Sequence, residues 1–562
     1  MKTSPQTVPP LRPPSQVMRL SRLGSMHQCR LSFMRVLTRR MAAEGWAFSR
    51  PVFDIDDKGV GHAVYVATGP ERAYSLVAFA HDLPPGQRSD RVIATAWDAT
   101  FTLFDGIPTQ ADIDRLSQNI PLQEAGRVNE KSLSVSRANR SVRLWEHVVD
   151  TLSQGRQPDP GMIDAVGYLM RTTAVYGSGK LGASDYEAVS ERPELRVPFQ
   201  AEMLSVYLTR TFVRDLVNHM ARARGGNMAV DMAPEIARRL GIGNSTGLGL
   251  GPFIINHPRL FNNWIMARET AIQRVRAIET ATARQIADFN DILHRSRALV
   301  ETWRSQHPVQ VARLARLRAD LDVLQAHLAG DGLSAAFPWD HLIRWSEPAL
   351  SQEGQELLAS LILEPHAALV DDLAQSMADT DFDVTFIDGA MPVSRVRALI
   401  EARFGWALAL DWSARENCAR AWYVSEAKLE PRVGERFEEP IAPYETPLAP
   451  ARDAVAAHVA LRDWADGKPV AAFLLRHPEH RQSIRRAQIS ATAPYCEIQD
   501  NTIAADMFPV DLLRVKLAFF GATHFDPRSD RWVRICMFGN APYPEDLAPE
   551  NADFWVYPEV RP

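Results

Sequence analysis

The spacing of apolar and polar positions changes several times along this chain. Near the N-terminus it is helical, and four apolar residues share one face of a helix predicted over residues 30–44: Leu31, Met34, Leu37 and Met41. Between residues 45 and 107 apolar and polar residues alternate in four stretches, and the turn-like segments DDKG and GPER separate some of them. We therefore expect a helix followed by an antiparallel sheet.

Helical periodicity dominates from Thr109 to about residue 380. The stretch 257–330 carries it almost without a break, which predicts long antiparallel helices. After residue 381 strand-like and helix-like stretches mix, and the last of them predicts a hairpin that turns at DPRSD. The predicted fold class is helix-dominated α+β, with an N-terminal antiparallel sheet, long central helices and a C-terminal α+β unit.

These changes divide the chain into five predicted segments, of which the first, residues 1–22, is a disordered proline-rich tail. The others are a helix with an antiparallel sheet at 23–107, a helical region with two Gly-rich loops at 108–256, a long-helix region at 257–380 and a C-terminal α+β unit at 381–562.

Two stretches indicate an internal duplication. RVLTRRMAAEGWAF begins at residue 35 and RVRALIEARFGWAL at residue 395, and Gly-Trp-Ala follows Arg-Val ten residues later in both. Tyr-Val then recurs at Tyr65 and Tyr423 in predicted strands, so Trp46 and Trp406 would occupy equivalent places. The alternative is coincidence, because a helix, Gly-Trp and a strand are common combinations.

The composition excludes several classes of protein. A net charge of −5 argues against a dedicated nucleic-acid binder, because such proteins carry a basic excess that neutralises phosphates. No apolar run reaches the ~18 residues of a membrane span, so no membrane partner is expected. The four cysteines form no CxxC pair, which favours a reducing compartment over a disulfide framework and predicts a cytoplasmic location.

Lysine is rare in this chain. It accounts for 7 of the 63 basic residues, and the other 56 are arginine. That bias is typical of a GC-rich bacterial genome, so we expect a bacterial protein. It also draws attention to Lys180, which stands inside a Gly-rich stretch.

That stretch, GSGKLGASDYE at residues 177–187, is the first candidate site. The P-loop pattern GxxxxGK[ST] fails, because Ala174 stands five residues before Gly179 and Leu181 follows Lys180. Three glycines do form GxGxxG, but the preceding GYLMRTTAVY has the pattern of a helix end and not of the strand that a dinucleotide site requires.

Its chemistry still suits an anion. Gly177 and Gly179 let backbone amides approach a ligand closely, Lys180 offers a charge or a base, and Arg171 can fork onto a carboxylate or phosphate. Tyr176 and Asp185 are candidates for proton transfer. The alternative is a mobile joint between helices that carries a solvated lysine.

The second candidate is GIGNSTGLGLGPFIINHP, residues 241–258. Asn244, Ser245 or Thr246 could cap a helix and leave amide donors free for an anion, and His257 would lie at the start of the next helix. The alternatives are tight packing of helices through the glycines and a capping or core role for His257.

No metal site is expected. His477 and His480 in RHPEHR stand three residues apart on a predicted helix, but two histidines without a matched third ligand are a weak signal. No motif identifies a cofactor, so the cofactor stays unknown.

The sequence favours a cytosolic bacterial enzyme that acts on a small anionic metabolite held by the two Gly-rich loops. Lys180, Tyr176 and Asp185 would be catalytic, and a lyase or transferase is favoured over other reactions. One alternative is a helical interaction protein without catalysis, and another is a nucleotidyl- or phosphotransferase. The long helices could also support a homo-oligomer. An enzyme requires that the two loops meet in one pocket, whereas a scaffold leaves them apart.

Overall fold

The computed structural model describes most of the chain, with gaps. The described residues are 8–83, 96–118, 120, 130–174, 189, 192–246, 258–305, 308–330, 333–378, 386–413, 422–423, 444–445, 449–499, 514–515, 517–527 and 533–559.

The largest feature is one nine-stranded sheet. Its strands are β1 (Ala47–Ile55), β2 (Gly61–Thr68), β3 (Ala73–Ala80), β4 (Ala99–Asp105), β5 (Ser132–Arg140), β6 (Tyr168–Ala174), β7 (Gly241–Thr246), β10 (His524–Pro527) and β11 (Val533–Met537). The spatial order is β1-β2-β3-β4-β5-β6-β7-β11-β10. A separate two-stranded pair is formed by β8 (Trp422–Tyr423) and β9 (Tyr444–Glu445).

All neighbours in the large sheet are antiparallel except β6 and β7, which are parallel. The antiparallel sheet predicted over residues 45–107 is thus confirmed as β1 to β4. The predicted C-terminal hairpin is also confirmed, since β10 and β11 pair antiparallel from His524 opposite Cys536 to Pro527 opposite Val533. Its pairing with β7 ties residues 533–537 to the N-terminal half of the chain.

The helices before the long-helix region are α1 (Pro14–Val17), α2 (Leu20–Leu23), α3 (Phe33–Ala43), α4 (Gln110–Ser117), α5 (Trp145–Ser153), α6 (Pro160–Val166), α7 (Gln200–Gly225) and α8 (Pro234–Arg239). Of these, α7 packs across one face of the sheet, against β2 to β5 and β7. Buried Arg210 on α7 donates hydrogen bonds to the carbonyls of Leu240, Ala541 and Arg238, at 2.6, 2.8 and 2.9 Å. These three charge-assisted bonds fix the helix to the chain just before β7 and just after β11.

The opposite face of the sheet is apolar where α4 covers it. Val64, Val77, Phe79 and Phe104 form a buried cluster there with Ile113 of α4 and its neighbours. A capping box starts α4, because Thr109 accepts from the Asp112 amide and Asp112 accepts from the Thr109 amide.

The N-terminal segment differs from the predicted disordered tail, because its residues from 8 onward are described and α1 and α2 lie within it. Arg12 pairs with Glu269 and with Glu356, both at 2.6 Å. Leu20 and Leu23 are buried in the main core. Proline content alone predicted disorder, but a buried ion pair and four apolar side chains at positions 17, 18, 20 and 23 hold this segment in place.

The predicted long-helix region is confirmed over 257–330 by three helices, α9 (Pro258–Arg276), α10 (Ala283–Thr302) and α11 (Pro308–Leu328). Further helices complete it: α12 (Pro338–Ala349), α13 (Gln352–Leu361), α14 (Ala367–Val370) and α15 (Leu373–Ser376). Their apolar faces, together with α3, α7 and a π-helical turn at Leu517–Gly521, form the main hydrophobic core.

The last helices form a second core. They are α16 (Val393–Leu408), α17 (Ala449–Arg462), α18 (Val470–Arg476) and α19 (Arg481–Thr492). Their buried side chains, between Ile387 and Ala487, form a cluster distinct from the main core. Tyr495, Ile498 and most of the buried apolar residues after them belong to the main core instead, so the side chains of the predicted unit 381–562 are divided between two cores.

The internal duplication is not confirmed. Gly45 has a left-handed φ of 64° just after α3, and Trp46 precedes β1. Trp406 lies inside α16, which continues past Gly405 to Leu408. Trp46 and Trp406 therefore do not occupy equivalent places, because Val396, Ile400, Phe404 and Ala407 are buried at helical spacing in the second core.

Candidate functional site

Most of the predicted site residues lie outside the described part of the chain: Tyr176, Gly177, Gly179, Lys180, Asp185 and His257. Their roles stay predictions. Arg171 and Asn244 are described in full, whereas Ser245 and Thr246 are described as backbone of β7.

The segment before the first Gly-rich stretch is a strand, so its prediction as a helix end is wrong. Helix α6 stops at Gly167, whose φ of 78° is left-handed, and β6 begins at the next residue. A glycine in this conformation is a common helix stop, and the apolar run after it is long enough for a buried strand. The predicted helical region 108–256 therefore contains β5, β6 and β7 as well as helices.

Asn244, Ser245 and Thr246 are the last residues of β7, so Asn244 lies within a strand and not at the start of a helix. The glycines before them serve close packing within the sheet. A Cβ at Gly243 would lie 2.6 Å from the Tyr168 ring, and a Cβ at Gly241 would lie 2.2 Å from the Met537 carbonyl oxygen. A side chain at either position would overlap these atoms.

The parallel pairing of β6 and β7 has a direct consequence for the two Gly-rich stretches. Arg171 is opposite Gly243 and Thr172 is opposite Asn244, so both strands end at the same edge of the sheet. The first stretch begins at Gly177, three residues after β6, and the second contains β7 and continues past its end. In open α/β sheets ligands bind outside the carboxyl ends of parallel strands, and β6 and β7 are the parallel pair among the described strands of this otherwise antiparallel sheet.

Arg171 and Asn244 nevertheless point to opposite faces. Side chains alternate along a strand, and Thr172, which follows Arg171, is the partner of Asn244. Asn244 also stands in one row with Ala138 and Ile535, which belong to the main core on the α7 side. Arg171 lies on the other face, opposite Asn139 of β5.

The face that carries Arg171 is polar beyond the cluster covered by α4. Six residues around it, which we call the arginine face, come from β4 with the two residues before it, and from β5 and β6: Trp97, Asp98, Thr100, Arg137, Asn139 and Arg171. Thr100 is the partner of Arg137, and Arg137 stands two residues before Asn139 on β5, so these side chains share a face.

Several contacts order this face. The Arg137 guanidinium lies 3.8 Å from the centre of the Trp97 ring, which is a cation–π contact. Asn139 Oδ1 accepts from the Asp98 amide at 3.2 Å, and Asp98 Oδ2 accepts from the Arg140 amide at 2.9 Å. Asp98 is 1% exposed and Arg171 is 5% exposed, so ionisable groups are held here in a largely dry environment.

Two buried donors on this face have no hydrogen-bond partner among the described residues, Thr100 Oγ1 and Trp97 Nε1. His81, next to the face, donates its backbone amide to the Asp98 carbonyl at 2.9 Å. Burial, followed by the nearby Arg140, lowers the pKa of His81 to about 4. Its imidazole is therefore neutral at pH 7 and can accept a proton.

The described side chains of the arginine face carry two guanidinium groups and one carboxylate, which leaves a net positive charge. Arg137 and Arg171 stand on neighbouring strands: Arg171 is opposite Asn139, and Arg137 lies two residues before Asn139 on β5, with an irregular register between Arg137 and Ala138. Each guanidinium group can donate two parallel hydrogen bonds to a carboxylate or phosphate group.

A second charged region is a cleft of about 640 Å³ between α3, α10 and the C-terminal segment. Arg30, Arg35 and Arg39 all pair there with Asp553, at 2.5, 2.8 and 3.0 Å. Arg35 pairs in addition with Glu364 at 2.5 Å. Since these arginines already have carboxylate partners, the cleft is better explained as an ion-pair network that holds the C-terminal segment.

Sequence reasoning identified Arg171 but missed the rest of the arginine face. A signal was present in SRANR, residues 136–140, where Arg137 and Asn139 flank the core residue Ala138. Polar residues at every second position are typical of a strand with one polar face, so the spacing of Arg137 and Asn139 indicates that they share such a face.

Among the described helices, none has both the length and the apolar character needed to cross a lipid bilayer. The chain matches no protein-family model, no curated protein and no solved structure.

Proposed function

We propose that this protein is an enzyme that binds a small anionic metabolite at the arginine face, beside the carboxyl ends of β6 and β7. The observation that carries the proposal is the placement of Arg137 and Arg171 on one face of neighbouring strands at that edge. The parallel strand pair also supports it, because β6 and β7 end at the same edge of the sheet, and in open α/β sheets ligands bind at that edge of parallel strands.

The electrostatics favour an anion of one or two charges. Arginine presents its donors in a planar fork that matches carboxylate and phosphate oxygens. Because Arg171 is buried and Arg137 is half-buried, water screens their charges less than at an open surface. Thr100 and Trp97 would add two neutral donors, which could contact further oxygens of the ligand.

His81 lies next to the same face. It is neutral at pH 7 and its Nε2 has no hydrogen-bond partner among the described residues. Its lowered pKa makes it a weak base, so we expect the neutral imidazole to contact the ligand by a hydrogen bond rather than to remove a proton from it. Lys180, Tyr176 and Asp185 remain predicted catalytic residues, and their segment follows β6 directly along the chain.

A thermal-shift screen tests this function. The purified full-length protein is heated with inorganic phosphate, pyrophosphate, sulfate, nucleotides and small organic acids, each organic acid beside its uncharged amide. A ligand at 100 times its dissociation constant adds about 2.7 kcal/mol of stability, which raises the melting temperature measurably.

We expect at least one anion to raise the melting temperature while its uncharged analogue does not. The proposal is wrong if no anion in the panel stabilises the protein, or if amides stabilise it as well as acids do.

A further inference from the structure

The second core carries a cluster of metal-binding side chains that plays no part in the proposed function. His477, Glu479 and His480 lie at the short 3₁₀ turn Pro478–His480, which joins α18 to α19. The sequence predicted these histidines on one continuous helix with no third ligand. The structure differs from both expectations. The turn interrupts the helix, and it places the Glu479 carboxylate near both imidazole rings.

The three side chains converge on one point. His477 Nδ1 lies 3.1 Å from Glu479 Oε1, and His480 Nε2 lies 4.0 Å from the same oxygen. All three candidate donor atoms lie within 4.8 Å of one another. Donors bound to tetrahedral Zn²⁺ at about 2.0–2.2 Å are separated by about 3.4 Å, so shifts of about 1.4 Å or less in the distances between these atoms would bring them into range.

Aromatic residues of the second core hold the two imidazoles in place. The buried Phe473 ring stacks on His477 at 5.1 Å and on His480 at 5.7 Å between ring centres. Trp464 meets His477 edge-on at 6.0 Å. Rings that are already packed lose little rotational freedom when a metal binds, which favours binding.

Exposure leaves room for an exchangeable ligand. The His480 side chain is 15% exposed, that of His477 is 31% exposed and that of Glu479 is 59% exposed. Arg476 and Arg481 flank the turn along the chain and are exposed, so solvent and salt weaken their repulsion of a cation.

We propose that His477, Glu479 and His480 form a binding site for a divalent transition metal, with Zn²⁺ as the ion to which two imidazoles and one carboxylate are suited. The ion would take three protein ligands and keep its remaining position for water or another ligand. Because His477 follows α18 and His480 precedes α19, the bound ion would also link these two helices.

Isothermal titration calorimetry with ZnCl₂ tests the site. The full-length protein is freed of metal with a chelator and compared with His477→Ala, His480→Ala and Glu479→Gln. The control is His147→Ala, which removes an exposed histidine from α5. The substituted side chains of the site are partly exposed and outside the buried core, so the variants are expected to fold, and circular dichroism checks this.

We expect the wild type to bind one Zn²⁺ per chain. Even a changed outer partner of a metal ligand costs about tenfold to a hundredfold in affinity, so loss of either histidine ligand should weaken binding at least tenfold. His147→Ala should bind as the wild type does. Absence of stoichiometric Zn²⁺ binding to the wild type, or unchanged affinity in both histidine variants, would overturn the proposal.

Discussion

At the scale of single residues, burial keeps two core histidines, His27 and His366, uncharged. Burial lowers the pKa of His27, where it outweighs the nearby Glu353, and it lowers the pKa of His366 to about 4. His366 is 3% exposed and meets the Trp339 ring edge-on at 5.4 Å. These imidazoles are neutral in the folded chain at pH 7, so protonation below that pH opposes folding.

His366 therefore makes stability depend on pH. Its folded pKa of about 4 lies below the unfolded value, so the unfolded chain binds more protons between about pH 6.5 and 4. The stability is fully present above pH 6.5 and falls by up to about 3 kcal/mol toward pH 4. His366→Gln should make the melting temperature less sensitive to acid over this range. His147→Gln, on an exposed position, should keep the wild-type dependence, and an unchanged acid dependence in His366→Gln would contradict this explanation.

At the scale of elements, the glycines of β7 allow the strand to pair closely with its neighbours. The Gly243 Cα faces the Tyr168 ring, and an added Cβ would lie 2.6 Å from it. The expected cost of Gly243→Ala is about 1–3 kcal/mol, as for other overpacked sites, and chemical denaturation would measure it.

Gly405→Ala is the matched control for that substitution. Gly405 lies in α16 directly after Phe404, whose φ of −115° and ψ of 19° kink the helix, and nothing within 4 Å would meet a Cβ at Gly405. Alanine is favoured over glycine by about 0.5–1 kcal/mol in a regular helix interior, so beside the kink this variant should be about as stable as the wild type or slightly more stable. Equal destabilisation by both alanines would show that packing against Tyr168 is not the reason for Gly243.

How far the sequence predicts the fold depends on how local the signals are. The strands of residues 45–107 and the helices of 257–330 follow from periodicity, because each has a long, regular pattern. Strand β6 was missed, since Gly167 ends α6 within an apolar run that continues into the strand. For the candidate site, Arg171 was recognisable, but its partner Arg137 depends on the strand pairing of distant segments, which periodicity does not reveal.

At the scale of the whole molecule, the C-terminal segment closes the structure by returning to the N-terminal half. Strand β11 pairs with β7. In addition, Asp553 forms ion pairs with Arg30, Arg35 and Arg39, which lie in or just before α3. Burial alone would raise the pKa of Asp553, but Arg35, Arg39 and Arg30 outweigh it and hold that pKa well below its usual range. Three cations thus share this carboxylate, and each of them also pairs with Asp371 or Glu364.

Removal of that carboxylate should be costly. Asp553→Ala removes one carboxylate from three guanidinium groups of low exposure, which keep Asp371 and Glu364 as partners. We therefore expect a loss of about 1–3 kcal/mol, below the roughly 3–5 kcal/mol of a buried charge left without its partner. Glu550→Ala, three residues earlier and exposed, should change stability by less than about 0.5 kcal/mol. Chemical denaturation of both variants measures the difference, and a loss below about 1 kcal/mol in Asp553→Ala would mean that the cluster adds little.

The proposed function requires that Arg137 and Arg171 together hold a small anion. Its most direct test is calorimetric titration of the anion that stabilises the wild type most into four proteins: wild type, Arg137→Gln, Arg171→Gln and the control Arg222→Gln. Arg222 is an exposed arginine in the last turn of α7. It pairs with Asp231 and is not part of the arginine face. A hydrogen bond to a charged group contributes about 1.5–3 kcal/mol, so each site variant should bind at least about tenfold more weakly, and the control should bind as the wild type does. Wild-type affinity in both Arg137→Gln and Arg171→Gln would contradict the account.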